Sequence, residues 1–515
     1  MCHDHSVTQT APTNLADLLR TTAQARPTDV AFVDLASGVD TTWATLDASV
    51  DAMAAGLRRH GLAQGDRVAL LLGNRIEFVA TYFAVLRAGM VALPLNTGYT
   101  AHEVADLLHR SQARLLVADE ATETTASSAA AELGTEVIVV GDPAYAALER
   151  AGHRADAPKL DAGEFDPESL AVLLFTSGTS GPSRGAMLSH RALLANIAQL
   201  LSVDPPPVRP DDVVLVVLPL FHVYALNAVL GIAVATGARS VLLPKFSPMS
   251  ALDVVDAQGV TNIPAAPPVF VAWASVPDLD HRLAGVRTLV SGAAPLSPAV
   301  FSAFADHAGQ PVWEGYGLTE AAPVVASTMV GRRPKPGCIG EPLPGVEVRL
   351  VDEDGSTSDD EDPGEIWVRG ANLFSGYWPD GSGGPDADGW YATGDIAYRD
   401  DDGDLHLVDR RRDLVLVSGF NVYPFEVETV ITGHPDIAEV AVVGIPNAQT
   451  GETVKAFVVP LPGTTVTREQ VAALCESRLA RFKCPTVIEI VDSLPHSSTG
   501  KIARARLREE STRPQ

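Results

Sequence analysis

Over the first 300 residues, short apolar runs alternate with stretches whose apolar positions recur at helical spacing. Residues 67–72, 114–118, 136–140, 170–175, 213–218, 240–243 and 286–290 are rich in Val, Leu and Ile and read as buried strands. Residues 101–111 read as a helix, because Thr100 and Glu103 have the spacing at which each side chain satisfies the other's backbone N–H. Strand and helix in alternation predict mainly parallel sheets covered by helices.

From about Gly340 the period shortens to that of hairpins. Residues 346–351, 365–369, 396–399 and 405–408 alternate with acidic turns such as D-E-D-G and D-D-D-G, which predicts a small antiparallel sheet or barrel. The acidic run 359–362 reads as a solvated loop. A charged joint, residues 409–413, precedes a final segment with its own strands and a helix capped by Thr467 and Gln470. The expected class is α/β: a large N-terminal lobe over 1–409 with an antiparallel β subdomain, followed by a small α+β domain over 410–515.

The uncharged stretch 213–238 exceeds the roughly 18 apolar residues that flag a membrane-spanning helix. Its first part is β-branched and stops at Pro219, and His222, Tyr224 and Asn227 interrupt the rest. A buried strand, a polar loop and a core helix fit better, and an integral membrane protein is not expected. The 515 residues correspond to about three packing units, and 46% hydrophobic with 20% charged residues is ordinary globular composition.

Lys and Arg total 38 against 64 Asp and Glu, a formal charge of −26. This argues against nucleic acid or an anionic membrane as a partner, so anionic ligands must meet local basic groups. Cys2, Cys338, Cys475 and Cys484 lack C-x-x-C spacing and fit a reducing compartment such as the cytoplasm. The start M-C-H-D-H-S-V-T has neither the basic stretch nor the apolar core of a secretory signal, and Cys2, His3 and His5 read as a solvated tail.

Candidate chemistry begins at residues 173–190, L-L-F-T-S-G-T-S-G-P-S-R-G-A-M-L-S-H. A buried strand leads into hydroxyls (Thr176, Ser177, Thr179, Ser180) and glycines (Gly178, Gly181), then Arg184 and an expected helix. Glycines let backbone N–H groups approach phosphate oxygens and the hydroxyls add donors, so the loop suits a polyphosphate. No G-K-[ST] closes it, which excludes a Walker loop.

This segment resembles the adenylate-forming superfamily, in its branch of acyl-CoA synthetases and fatty-acid or 4-coumarate-type CoA ligases. The likeness continues through S-G-A-A-P-L-S (291–297), G-Y-G-L-T-E (315–320), Y-A-T-G-D (391–395), D-R-R-R-D (409–413), G-F-N-V-Y-P-F-E-V-E (419–428) and S-T-G-K-I (498–502), in the family's order. It implies ATP-dependent activation of a carboxylic acid to an acyl-adenylate, then transfer to a thiol. Lys501 would bridge carboxylate and α-phosphate, Thr319 would bond that phosphate, and Glu320 would hold Mg2+. The segment Gly315, Tyr316, Gly317 would stack on adenine beside Ala294, and Asp395 with Arg410 would hold the ribose hydroxyls. Read alone, Asp395 also fits a turn cap, and Arg410 an ion pair with Asp409 or Asp413.

The resemblance further implies a mobile C-terminal domain turning about Arg412, where relatives carry Lys or Asp. His222 resembles the family's gating residue, with a core histidine as the plainer alternative. The acid pocket would lie between residues 219–227 and 263–270, with Val223, Tyr224, Asn227, Ala266, Pro267, Ser291 and Gly292 as its walls. No Asp stands in the first segment to hold a substrate ammonium, so an uncharged tail is expected. Small neighbours favour a medium- or long-chain fatty acid, while Tyr224 keeps a 4-coumarate-like acid open. Ser418, Gly419 and Phe420 would line the thiol-acceptor side. Leu416 and Ser418 replace lysines of plant aryl-CoA ligases, which leaves open whether CoA or the phosphopantetheine of an acyl carrier protein is the acceptor.

Overall fold

The structure is a computed structural model that describes residues 12–131, 133–152, 165–176, 183–296, 298–352, 355–357, 363–410, 415–417, 420–422, 424–447, 451–479, 481–496 and 502–512. Two large sheets form its N-terminal part. One has six strands in the order Glu136–Val139, Leu115–Ala118, Arg67–Leu71, Val91–Pro94, Leu170–Thr176 and Arg184–Ser189, parallel except for the last pair. The other has nine strands, with a parallel centre made by Trp313–Gly317, Thr288–Ser291, Asn262–Ala265, Val213–Val216, Arg239–Leu242 and Val30–Asp34.

Helices cover both sheets, and one apolar core joins them. Phe32, Trp43, Phe78, Tyr82 and Phe83 belong to this core and are fully buried. The expected helix Ala101–Ser111 carries both halves of the predicted cap: Glu103 N donates to Thr100 Oγ1 at 3.3 Å, and Thr100 N donates to the Glu103 carboxylate at 2.7 Å. Satisfying two otherwise orphaned donors fixes the helix start.

The hairpin region forms a four-stranded antiparallel sheet, Val346–Val351, Gly364–Gly370, Tyr391–Arg399 and Leu405–Arg410. The C-terminal residues form a five-stranded sheet from Phe420–Val422, Val415–Val417, Gly451–Pro460, Ile437–Asn447 and Val487–Ile490, with helices Pro424–Thr432 and Arg468–Arg478. Val427, Ile431, Val442, Val454, Val471 and Cys475 make a core of their own there. Thr467 and Gln470 close the predicted capping box. The fold class is therefore α/β with a large N-terminal and a small C-terminal domain.

Two local expectations are corrected. Residues 184–189 do not open a helix: they form a strand antiparallel to Leu170–Thr176, and the helix starts at His190 with Ser189 as its cap. The alternation buries Ala186 and Leu188 while the strand pairs along Leu170–Thr176. The expected core helix after Pro219 begins as a π-helix, Tyr224–Gly231, and becomes α-helical only over Ile232–Thr236. A Cβ on Gly231 would stand 2.8 Å from Ile197 and 2.9 Å from Asn227, so the wide turn passes its neighbours where no side chain fits. No helix among the described residues is long and apolar enough to cross a membrane. The acidic run 359–362 lies outside the described residues.

Candidate active site

The strand Trp313–Gly317 ends in a one-turn 3-10 helix, Thr319–Ala321, and this junction organises the site. Gly317 is required sterically, because a Cβ there would stand 2.3 Å from the Pro323 carbonyl oxygen. The Leu318 N–H donates to that same oxygen at 3.0 Å, which locks the turn. Thr319 is thereby placed on the wall of a cavity of about 110 Å3.

His222, Val223, Tyr224, Gly292, Gly315, Tyr316, Gly317 and Thr319 line the cavity together, although they come from three segments of the chain. The Tyr224 N–H donates to His222 Nδ1 at 3.3 Å. Tyr224 Oη is buried with no hydrogen-bond partner among the described residues, and burial pushes its phenol well above the usual range. Ser291 Oγ is likewise buried and unpartnered. Ala294 sits half-buried in the loop that follows. Its neighbour Ala293 lines the cavity at φ +71°, a left-handed conformation that costs alanine on the order of 1 kcal/mol.

The cavity has more walls than the sequence pattern showed. Leu200, Val203, Val208, Met329 and Leu343 line it as well, and their apolar character did not distinguish them from core residues. Four predicted pocket residues, Ser291, Asn227, Ala266 and Pro267, do not line it. Asn227 is turned into the core, where its amide donates to the Leu193 and Ala322 carbonyls at 3.1 and 2.7 Å. Ala266 and Pro267 are taken up as the cap and first turn of helix Pro267–Trp273.

Tyr316 Oη donates to Asp395 Oδ2 at 2.5 Å. Asp395 is buried and lies opposite Arg410 in the ladder between Tyr391–Arg399 and Leu405–Arg410, so the two proposed ribose residues share one rung. Glu320 Oε1 accepts from Tyr377 Oη at 2.6 Å, and the Arg184 guanidinium lies 3.6 Å over the Tyr377 ring. Thr176 Oγ1 donates to the Arg184 carbonyl at 3.3 Å. Burial, then the neighbouring Glu320 carboxylate, pushes the Tyr377 phenol up to about 12.

Glu314 is a site neighbour that the motif reading missed. It is buried, Leu296 N donates to its Oε2 at 3.3 Å, and its Oε1 has no partner among the described residues. Desolvation pushes its carboxyl up to about 8. The period of the strand is the signal that was available, since it puts Glu314 on the buried face with Tyr316. Asp400, Asp402 and Asp404 also cluster, but Lys335 Nζ bonds Asp400 and lies 3.2 Å from Asp402, so a lysine supplies the positive charge there.

Ser177, Gly178, Thr179, Ser180, Gly181, Arg412, Ser418, Gly419 and Lys501 lie outside the described residues. Arg410 and Phe420 are described in their backbones alone.

A family model described as AMP-binding enzyme matches residues 19–378, and one described as AMP-binding enzyme C-terminal domain matches 426–501. The long-chain-fatty-acid–CoA ligase of Bacillus subtilis (strain 168) is 33% identical over 493 residues, spanning 89% of this chain and 88% of that protein. The 4-coumarate–CoA ligase 3 of Oryza sativa subsp. japonica is 34% identical over 497 residues, spanning 94% and 89%. The crystal structure of ATP-bound MatB from Rhodopseudomonas palustris superposes with a TM-score of 0.89 at 33% identity, over 97% of this chain and 99% of that one.

Proposed function

The chain belongs to the AMP-binding enzyme family, and from that premise we propose that it activates a carboxylic acid with an uncharged tail, using ATP. The acyl group passes to the thiol of CoA, with AMP and pyrophosphate released. The attacking carboxylate and the α-phosphate are both anions, so the step needs positive charge focused between them. Lys501 supplies that charge, Thr319 bonds the phosphate, and Tyr316, Asp395 and Arg410 orient the nucleoside. A half-buried carboxylate at Glu320, one residue beyond a hydroxyl facing the cavity, is a hard-oxygen donor that suits Mg2+. Mg2+ bound there supplies charge neutralisation to the phosphates.

The small domain, pivoting at Arg412, serves the two half-reactions in turn, with Ser418, Gly419 and Phe420 on the acceptor side. Arg412 in place of a lysine still exchanges charged partners, though through a planar fork.

The cavity lining carries the substrate reading. From His222 to Leu200, Val203 and Val208 it includes no Asp, Glu, Lys or Arg among the described residues, which supports a medium- or long-chain fatty acid. One observation favours an aryl acid instead: the unpartnered Tyr224 Oη at the wall could meet a ring hydroxyl.

Pyrophosphate release measured with octanoate, dodecanoate, 4-hydroxycinnamate and amino acids, each with CoA and with a pantetheinylated carrier protein, tests the proposal. Turnover of the fatty acids with CoA is expected. Preference for 4-hydroxycinnamate would transfer the reading to aryl acids, and preference for a zwitterionic amino acid would sink both.

A further inference from the structure

Glu320 stands on a single 3-10 turn, and a glutamate side chain has rotatable bonds enough to leave the direction of its carboxylate open. Two contacts from one neighbouring segment remove that freedom. Phe374 N donates to the Glu320 carbonyl at 2.9 Å and fixes the backbone, and Tyr377 Oη donates to Glu320 Oε1 at 2.6 Å and fixes the carboxylate.

Tyr377 is itself held on every side. Its ring meets Phe374 edge to face with centroids 5.0 Å apart. The Arg184 guanidinium lies over the ring at 3.6 Å, within the range of an attractive cation–π contact. Its backbone bridges to Ala186, in the strand that follows the phosphate loop.

The protons can be assigned. A carboxylate only accepts, so the one phenolic proton of Tyr377 goes to Glu320. The 3.2 Å contact between the Tyr377 and Tyr391 hydroxyls then has Tyr391 as donor, and a directed chain runs from Tyr391 through Tyr377 to Glu320.

We propose that Tyr377 is a positioning residue that sets the carboxylate of Glu320 for the Mg2+–ATP complex and, through Arg184 on its ring, ties that carboxylate to the hairpin carrying the phosphate loop. The proposal rests on the reading of Glu320 as the metal-holding residue. Two elements that face the same phosphates, the 184–189 strand and the 319–321 turn, are otherwise far apart in sequence; Tyr377 touches both.

The test is Tyr377→Phe in the full chain, which keeps the ring under Arg184 and against Phe374 and removes only the hydroxyl. Calorimetric titration with a non-hydrolysable ATP analogue at a series of Mg2+ concentrations reads metal-dependent binding without turnover. The expected result is a Mg2+ dependence shifted five- to tenfold toward higher concentration, an unchanged thermal midpoint, and adenylation activity recovered by excess Mg2+. Tyr391→Phe is expected to give a smaller shift in the same direction. Tyr377→Phe with the wild-type Mg2+ dependence, or with a loss that excess Mg2+ does not recover, overturns the proposal while leaving Glu320 in place. Glu320→Gln is run in parallel: if it too leaves the Mg2+ dependence unmoved, the metal reading fails and the proposal falls with it.

Discussion

The phenol of Tyr316 donates a 2.5 Å hydrogen bond to the buried carboxylate of Asp395, joining a strand of the nine-stranded sheet to the antiparallel subdomain. One side chain thus sets the placement of the other, and the two residues proposed to orient the nucleoside are held as a single unit.

Tyr316→Phe keeps the ring and frees Asp395. A hydrogen bond to a charged group is worth roughly 1.5–3 kcal/mol, so KM for ATP should rise about tenfold or more with a smaller change in kcat. Steady-state kinetics at saturating acid check this. An unchanged KM would separate Asp395 from the nucleotide.

Lys501→Ala should lose on the order of a hundredfold or more in adenylation, because a focused charge of this kind contributes a few kcal/mol to the step. Transfer of the acyl group from chemically prepared acyl-adenylate to CoA should be largely spared. Arg412→Pro should show the reverse, since a fixed φ at the pivot restricts the turn between the two arrangements. Single-turnover assays of each half-reaction distinguish these outcomes, and equal loss of both halves in Lys501→Ala would refute the moving-domain mechanism.

In the wild-type protein, affinity should rise with acyl length by about 0.8 kcal/mol per buried CH2 until the cavity is filled. Gly292→Ala should shorten the preferred chain. The added Cβ would stand 2.9 Å from Tyr224 Cε1 and 3.1 Å from its Cζ, so the ring must move toward the lumen. Overpacking of this kind costs about 1–3 kcal/mol, and KM for dodecanoate should rise roughly tenfold more than KM for hexanoate. Equal effects on both acids would count against this orientation of the tail.

Glu314 imposes a pH dependence on stability. Burial raises its folded-state value to about 8, so the native protein holds a proton that the unfolded chain releases at its ordinary carboxylate value. The stabilising contribution is complete below that ordinary value and is lost as pH rises toward about 8. Glu314→Gln, which keeps an acceptor for Leu296 N, should be more stable than wild type by about 1–3 kcal/mol at pH 8. The difference should vanish toward pH 4. Urea denaturation across this range is the check, and parallel curves for the two proteins would show that Glu314 does not titrate as described.

Much of the architecture was legible from local pattern. The strands at 67–71, 115–118, 136–139 and 213–216, both capping boxes and the serial hairpins follow from side-chain period and from donors that need partners close in sequence. The strands Val91–Pro94, Asn262–Ala265 and Trp313–Gly317 were less visible, because prolines, polar residues and glycines disguise them and their neighbours in the sheet stabilise them.

For the site, Thr319, Glu320, Tyr316 and Asp395 are marked by ordered motifs, since each lies in a short contiguous string with its glycines and hydroxyls. The partners of those residues lie at long range. Tyr377 for Glu320, the tie from Tyr316 to Asp395, Glu314 beneath Leu296 and the cavity residues Leu200, Val203 and Leu343 are joined only by packing. The sequence determined the family and the order of a large N-terminal and a small C-terminal domain, because local spacing encodes them. Tertiary structure decided the hairpin at Arg184, the turning of Asn227 into the core and the walls of the cavity, because burial and hydrogen-bond satisfaction depend on neighbours that no local pattern specifies.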